Sequence, residues 1–209
     1  MIQSIYYKFF ELLTLFVIIP VSFIINYPIW VKVIMGLSGF VYIILVLLKV
    51  EKYKFKATLQ LNWQAFWKRI IFPSIIVITV TTCYVWLTDK PQLFNVLLNN
   101  PILWLFILFF YSFCSVYPQE LIYRTFFFLR YQQLFKNKYL FIILNAALFS
   151  LAHIFFENIL VSTLTFIGGI FFALTYKKTK STLLVSIEHS LYGCWLFTVG
   201  MGNMLGFPS

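Results

Sequence analysis

The chain has 209 residues, of which 62% are hydrophobic and only 11% are charged, so it lacks the polar side chains that a soluble domain needs for its surface. Its formal net charge of +10 comes from Lys and Arg residues that lie between apolar runs, a pattern that indicates membrane topology and argues against a nucleic-acid-binding domain. Aromatic residues, 22% of the chain, occur throughout the apolar runs, which favours helical spans over a barrel of strands. We therefore predict an all-α integral membrane protein.

About seven apolar runs are long enough to cross a bilayer core of about 30 Å as helices. They cover residues 7–25, 29–49, 70–87, 102–131, 139–156, 159–176 and 182–202. Alternating these runs across the membrane puts nearly every basic residue on one side, which the positive-inside rule assigns to the cytoplasm. The sequence thus predicts a polytopic transmembrane helical bundle of about seven spans, with a cytoplasmic N-terminus.

The two halves of the chain differ in what their sequences show. Residues 1–101 are expected to form the N-terminal transmembrane spans together with a basic, cytoplasmic loop over 49–69. Near the end of this loop apolar side chains recur at helical spacing, as in a helix that lies in the membrane interface: Leu59, Trp63, Phe66 and Trp67. Residues 102–209 are expected to form a helical core that carries the functional site.

Ionisable side chains stand inside the apolar run 102–131. Glu120 and Arg124 are four residues apart, so on a helix they share one face and are able to pair. Because an uncancelled charge at bilayer depth costs about 3 kcal/mol or more, such residues face a bundle interior and usually carry function. Pro118 is expected to kink or divide this run, which exceeds one membrane thickness. We predict a functional site here, with a purely structural ion pair as the alternative.

Three short motifs follow one another in the later spans. His153 comes four residues after Phe149, and His189 comes four residues before Gly193. Small residues between these two motifs, at Gly168 and Gly169, allow close approach of helices. The first motif of the three surrounds the charged pair and reads Gln119-Glu120-Leu121-Ile122-Tyr123-Arg124.

Together these motifs resemble the CAAX protease and bacteriocin-processing family, also called the Abi family of intramembrane proteases. That family has Glu-Glu-x-x-x-Arg on one helix, Phe-x-x-x-His on a later helix and His-x-x-x-Asn on a third. The resemblance covers about residues 113–197. It implies that 102–209 is a catalytic helical core, and that the protein is an endopeptidase acting on a membrane-associated peptide or a prenylated C-terminus.

The resemblance also implies roles for individual residues. Glu120 would take a proton from a water molecule held by His153 or His189, and the resulting hydroxide would attack a peptide carbonyl. The other histidine, with the amide of Asn145 or Gln119, would stabilise the oxyanion. Arg124 would hold Glu120 in its ionised form.

Two positions depart from the family pattern. The first glutamate of the family, usually assigned as the catalytic one, is Gln119 here, and an amide does not accept a proton from water. The adjacent Glu120 is therefore expected to be the base, while Gln119 orients water or substrate. The final asparagine is replaced by Gly193, and Asn145 is expected to supply the missing amide. Glu188 is predicted either to pair with a cytoplasmic lysine or to supply the second carboxylate.

Metal chemistry and two other functions stay open at this point. Glu120, His153 and His189 would also make a three-ligand zinc set, but they come from three helices without a His-Glu-x-x-His pattern, so we predict no cofactor, with zinc as the alternative. The chain would otherwise be a catalytically silent relative that acts as a membrane binding or immunity protein, or a small proton-coupled transporter. The expected partners are membrane lipids and a peptide or prenylated protein substrate. Size and family resemblance suggest a bacterial inner membrane.

Overall fold

A computed structural model describes residues 2–54 and 61–206, and these residues form helices and turns but no strand. The helices are α1 (Ile5–Ser22), α2 (Ile29–Lys49), α3 (Trp63–Thr88), α4 (Asn95–Asn99), α5 (Pro101–Leu134), α6 (Lys138–Leu151), α7 (Ile159–Thr179) and α8 (Thr182–Val199). The predicted all-helical fold class is confirmed.

Six helical segments in the described part of the chain are long and apolar enough to cross a membrane, and they correspond to the first six predicted spans. They are α1, α2, α3, α5, α7 and the segment Lys138–Phe156, which contains α6. The seventh predicted span forms α8, which is not among these six and which carries the ionisable Glu188 and His189 near its middle. The protein is an integral membrane protein.

Most of the helices begin at a polar residue whose side-chain oxygen accepts a backbone N–H of the first turn. Such a cap satisfies a donor that has no partner within the helix, and it fixes the point at which the helix starts. At α3, for example, Asn62 Oδ1 accepts from the backbone N–H of Ala65 at 2.9 Å. The capping residues are Ser4, Asn62, Asn100, Asn137, Asn158 and Ser181.

The segment predicted to lie in the membrane interface forms the beginning of α3. This helix starts at Trp63 and runs without interruption through Pro73 to Thr88. Phe66 and Ile70 are buried against Leu184 of α8, so the N-terminal turns of α3 pack on protein. Its position in the membrane interface stays a prediction, and Leu59 lies outside the described residues.

The helices group into two compact units, Met1–Ala57 with Leu121–Lys180, and Thr58–Glu120 with Ser181–Ser209. The first unit contains α1, α2, the second part of α5, α6 and α7. The second unit contains α3, α4, the first part of α5 and α8. The boundary within α5 falls directly after Glu120.

In the first unit, the pair α6 and α7 packs closely because of the predicted small residues. A Cβ added at Gly169 would lie only 3.0 Å from the Cα of Ala146, so glycine is needed for this approach. The hydroxyl of Ser150 also donates to the carbonyl of Ser162 at 2.7 Å across the same pair. The expectation that this glycine segment allows close helix approach is confirmed at Gly169.

A buried ionic network in the first unit was not predicted from the sequence. Arg130, which is 1% exposed, donates from Nε to Glu11 Oε2 at 2.7 Å and from Nη1 to Glu51 Oε1 at 2.9 Å. The hydroxyl of Tyr131 donates to Glu11 at 2.9 Å, and the hydroxyl of Tyr42 also donates to this carboxylate. The network therefore joins α1, α2 with the residues that follow it, and the end of α5.

The core of the second unit lies between α8 and its neighbours α3, α4 and α5. Two indole N–H groups donate to threonine hydroxyls there, Trp195 to Thr81 and Trp104 to Thr198, each at 3.0 Å. Indole nitrogens that are partly buried in this way usually have an acceptor, and these bonds supply one. α8 is thereby fixed beside the first part of α5, which carries Glu120.

Candidate active site

Glu120 lies at the end of one short α-helical turn between two π-helical stretches of α5. The stretches cover Tyr111–Val116 and Leu121–Phe126, and the turn between them, Tyr117–Glu120, contains Pro118. Proline lacks the N–H that a regular helix would use, so irregular backbone at this point is expected. Single π-helical turns within α-helices occur frequently at functional sites. The side chain of Glu120 is fully buried.

Glu120 and His189, both predicted as catalytic, form a hydrogen-bonded pair in the second unit. The distance from His189 Nδ1 to Glu120 Oε1 is 2.8 Å, and His189 is only 6% exposed. With the carboxylate ionised, the imidazole Nδ1–H donates to it and the other ring nitrogen keeps its lone pair. A carboxylate and an imidazole joined by a hydrogen bond can take a proton from a reacting group and later return one to it.

The second ring nitrogen of His189 also has a partner, which was not predicted from the sequence. The hydroxyl of Tyr111 lies 3.1 Å from Nε2. With Nδ1–H bonded to Glu120, the phenol O–H is the donor to Nε2. The only sequence feature that links Tyr111 to the site is its position eight residues before Gln119, about two turns along the same helix.

Gln119, proposed to orient water or substrate, makes a hydrogen bond within its own helix. Its Nε2 donates to Ser115 Oγ at 2.8 Å. Its Oε1 is buried and has no hydrogen-bond partner among the residues that the structure describes. An acceptor left in this state is available to a bound donor, such as a water molecule or a substrate N–H.

The supporting residues Arg124 and Asn145 contact each other in the first unit. Arg124 Nη1 donates to Asn145 Oδ1 at 2.6 Å, and Asn145 Nδ2 donates to the carbonyl of Tyr123 at 2.7 Å. The guanidinium also lies over the rings of Phe149 and Phe172, at 4.8 and 5.7 Å from their centroids. Both polar side chains are fully buried. The two hydrogen bonds of Asn145 hold the Arg124 side chain and the π-helical backbone at Tyr123 in place.

His153 follows the end of α6 in the first unit, in a turn rather than within a regular helix. Its Nδ1 lies 2.8 Å from the carbonyl of Phe149, the first residue of its motif. An N–H donated to that carbonyl fixes the tautomer and leaves Nε2 as the nitrogen with a lone pair. The phenylalanine of the motif thus orients the histidine through its backbone, and its ring lies 4.8 Å from the imidazole.

Glu188, the other carboxylate of α8, has a partner on its own helix. The hydroxyl of Tyr192 donates to its Oε1 at 3.1 Å, four residues further along. The side chain is 2% exposed. Neither of the two roles predicted for Glu188 is tested by this contact.

The nitrogen atoms of His189 that could bind a metal ion are engaged in hydrogen bonds. Both ring nitrogens of His189 have hydrogen-bond partners, and one of these partners is Glu120 itself. Within residues 2–54 and 61–206, no group of three or more His, Cys, Asp or Glu side chains is arranged to hold a metal ion. These contacts do not test whether a metal ion takes part, so the absence of a cofactor stays a prediction.

Comparison with known proteins identifies one family. Residues 101–195 match the family model described as Rce1-like, type II CAAX prenyl endopeptidase. The match begins at the start of α5, ends within α8 and contains all three predicted motifs. No curated protein and no solved structure matches the chain. The resemblance predicted from the motifs is confirmed over this segment.

Proposed function

We propose that this chain, whose residues 101–195 are of the Rce1-like family of type II CAAX prenyl endopeptidases, is an intramembrane endopeptidase that cleaves a membrane-associated or prenylated peptide. The observation that carries this proposal is the buried carboxylate–imidazole pair of Glu120 and His189, with 2.8 Å between Oε1 and Nδ1. It lies within the matched segment and joins two of the family's motifs. We also place the protein in a bacterial inner membrane.

The proposed reaction uses Glu120 as the general base. Glu120 takes a proton from a water molecule, the hydroxide attacks the peptide carbonyl carbon, and a tetrahedral oxyanion forms. His189 orients the carboxylate through Nδ1–H. The proton that Glu120 took from water then passes to the leaving amine nitrogen as the C–N bond breaks. The products are a carboxylic acid and an amine, which account for the peptide and one water. Burial strengthens each of these interactions because water is excluded.

The remaining site residues are assigned on their motifs. His153, oriented by the Phe149 carbonyl, is proposed as a donor to the oxyanion, with the Gln119 or Asn145 amide as its helper. Each amide donates one described hydrogen bond from nitrogen, so a second N–H remains on each. Arg124 is proposed to support the ionised form of the base.

The proposal predicts metal-independent cleavage that needs both histidines. The protein in liposomes is mixed with a quenched peptide that carries a farnesylated Cys three residues before its C-terminus, and with the same peptide lacking the lipid. We expect cleavage of the farnesylated peptide, no effect of a zinc chelator, and rates reduced about 100-fold or more in His189→Ala and His153→Ala. Ser190→Ala, next to His189 on α8, serves as the control and should keep the wild-type rate.

The other results of this experiment point to other functions. Loss of cleavage with chelator, restored by added zinc, would replace the metal-free mechanism with a zinc mechanism. A wild type that binds but does not cleave any peptide would support the silent relative, for which the replacement of the family's first glutamate by Gln119 is the favouring observation.

A further inference from the structure

Tyr111 is the first residue of the π-helical stretch Tyr111–Val116. Its hydroxyl lies 3.1 Å from His189 Nε2, and the two rings meet edge to face, with centroids 6.0 Å apart and planes at 84°. The tyrosine ring also meets the ring of Phe197 edge to face, at 4.7 Å between centroids. The contact to the histidine is therefore fixed by packing as well as by the hydrogen bond.

The space that Tyr111 occupies depends on the glycine at position 193. A Cβ added to Gly193 would overlap the hydroxyl and the ring of Tyr111, so no other residue at 193 is compatible with this ring position. Gly193 follows His189 by four residues and lies one turn further along α8. In the family pattern this position holds asparagine. The tyrosine hydroxyl thus stands where a side chain at 193 would be directed.

We propose that Tyr111 is a positioning residue for His189, and that Tyr111 and Gly193 together replace the asparagine of the third family motif. The phenol O–H donates to Nε2, which keeps the proton of the neutral imidazole on Nδ1 and directs it to Glu120. A histidine whose tautomer is fixed in this way presents one defined face to its carboxylate partner. The effect of this contact on catalysis rests on the proposed function, but the contact between Tyr111 and His189 does not depend on it.

The hydrogen bond can be tested without an activity assay. The chain has only two histidines, so ¹⁵N-histidine labelling of His153→Ala leaves the resonances of His189 alone. We expect one tautomer with Nδ1 protonated, and a shift of the Nε2 resonance in Tyr111→Phe toward that of a free lone pair. Tyr117→Phe, in the same helix but 38% exposed, is the matched control and should leave the spectrum unchanged.

The catalytic consequence is tested by exchange of the two positions. Tyr111→Phe should lower kcat roughly 10-fold with little change in KM, the size of loss typical of an outer partner of a histidine. Gly193→Asn alone should lose most activity because the new side chain displaces the Tyr111 ring. The double variant Tyr111→Ala with Gly193→Asn, which has space for the amide, should recover activity relative to Gly193→Asn.

Two outcomes would overturn the inference. One is an unchanged His189 spectrum in Tyr111→Phe, which would show that the hydroxyl does not bind Nε2. The other is a Gly193→Asn variant as active as wild type, or a double variant no better than Gly193→Asn in a folded protein. If the wild type cleaves no peptide, the proposed function fails while the spectrum still decides the contact.

Discussion

Replacing Glu120 with glutamine is expected to lower the rate of peptide cleavage by about 100- to 10,000-fold, the usual contribution of a general base. The substitution keeps the size of the side chain and its hydrogen bond to the imidazole, since the amide oxygen also accepts from Nδ1–H at the present 2.8 Å distance. What it removes is the ability to take a proton from water. Single-turnover cleavage in liposomes measures the effect, and size-exclusion profiles in detergent check that the variant is folded.

Glu188→Gln is the matched control for this result. Glu188 is a buried carboxylate at 2% exposure, lies next to His189 in the sequence and accepts a hydrogen bond from Tyr192. Its substitution therefore removes an equally buried charge from the same unit, and the cleavage rate should stay within a few-fold of wild type. Loss of activity in Glu188→Gln with activity retained in Glu120→Gln would assign the base to Glu188 instead.

Replacing Arg130 with methionine should destabilise the protein by about 3–5 kcal/mol, the cost of removing one partner from a buried ion pair. The guanidinium is the only cation among the described contacts of the network, and it bonds both Glu11 and Glu51. Without it, two carboxylates would face each other in buried surroundings. The measurement is the thermal unfolding midpoint in detergent, followed by the tryptophan fluorescence of the full chain.

A single hydrogen bond of the same network provides the control. Tyr131→Phe removes only the 2.9 Å bond from the hydroxyl to Glu11 and keeps the buried ring, so a loss of about 1 kcal/mol is expected. Adding Glu11→Gln to Arg130→Met should recover part of the stability, because one of the uncompensated charges is then removed. An unfolding midpoint for Arg130→Met equal to that of wild type would contradict a structural role for this network.

Much of the fold could be predicted because hydrophobic length and charge position are local properties of the sequence. Each long apolar run became a helix, and the polar residues before the runs became helix caps, as at Asn100 and Asn158. The amphipathic spacing around Trp63 fits both an interfacial helix and the start of a longer one, and the structure shows that the helix continues through Pro73 to Thr88. The packing of Phe66 on Leu184, more than a hundred residues away in sequence, could not be predicted from this spacing.

The ionisable residues of the candidate site could be predicted from the sequence, but the hydrogen-bond partner Tyr111 could not. Glu120 and His189 stand out because charged side chains are rare in apolar runs, and the structure places them in contact. Tyr111 does not stand out in a chain with many aromatic residues, and its role depends on the absence of a side chain at Gly193. Such a pairing across 82 residues is visible only in three dimensions.

Glu11 is, like Glu120, a carboxylate inside an apolar run of the sequence. It lies within the first apolar run, so the argument applied to Glu120 also predicts a buried, partnered carboxylate there. Its partner Arg130 stands at the end of the run 102–131, where a basic residue also fits the cytoplasmic end of a span, so its position alone does not indicate a connection with Glu11. The structure shows that this arginine is buried and joined to Glu11 at 2.7 Å.

The most direct test of the central claim is whether the wild-type chain, with glutamine at 119, cleaves a farnesylated peptide at all. Mass spectrometry of the products should show two fragments whose summed mass equals that of the peptide plus one water. We predict that the wild type gives these fragments in liposomes, with Gln119→Glu changing the rate but not being required. A wild type that gives no fragment under conditions in which Gln119→Glu cleaves would contradict the account, and would make this chain a silent relative that binds rather than cuts.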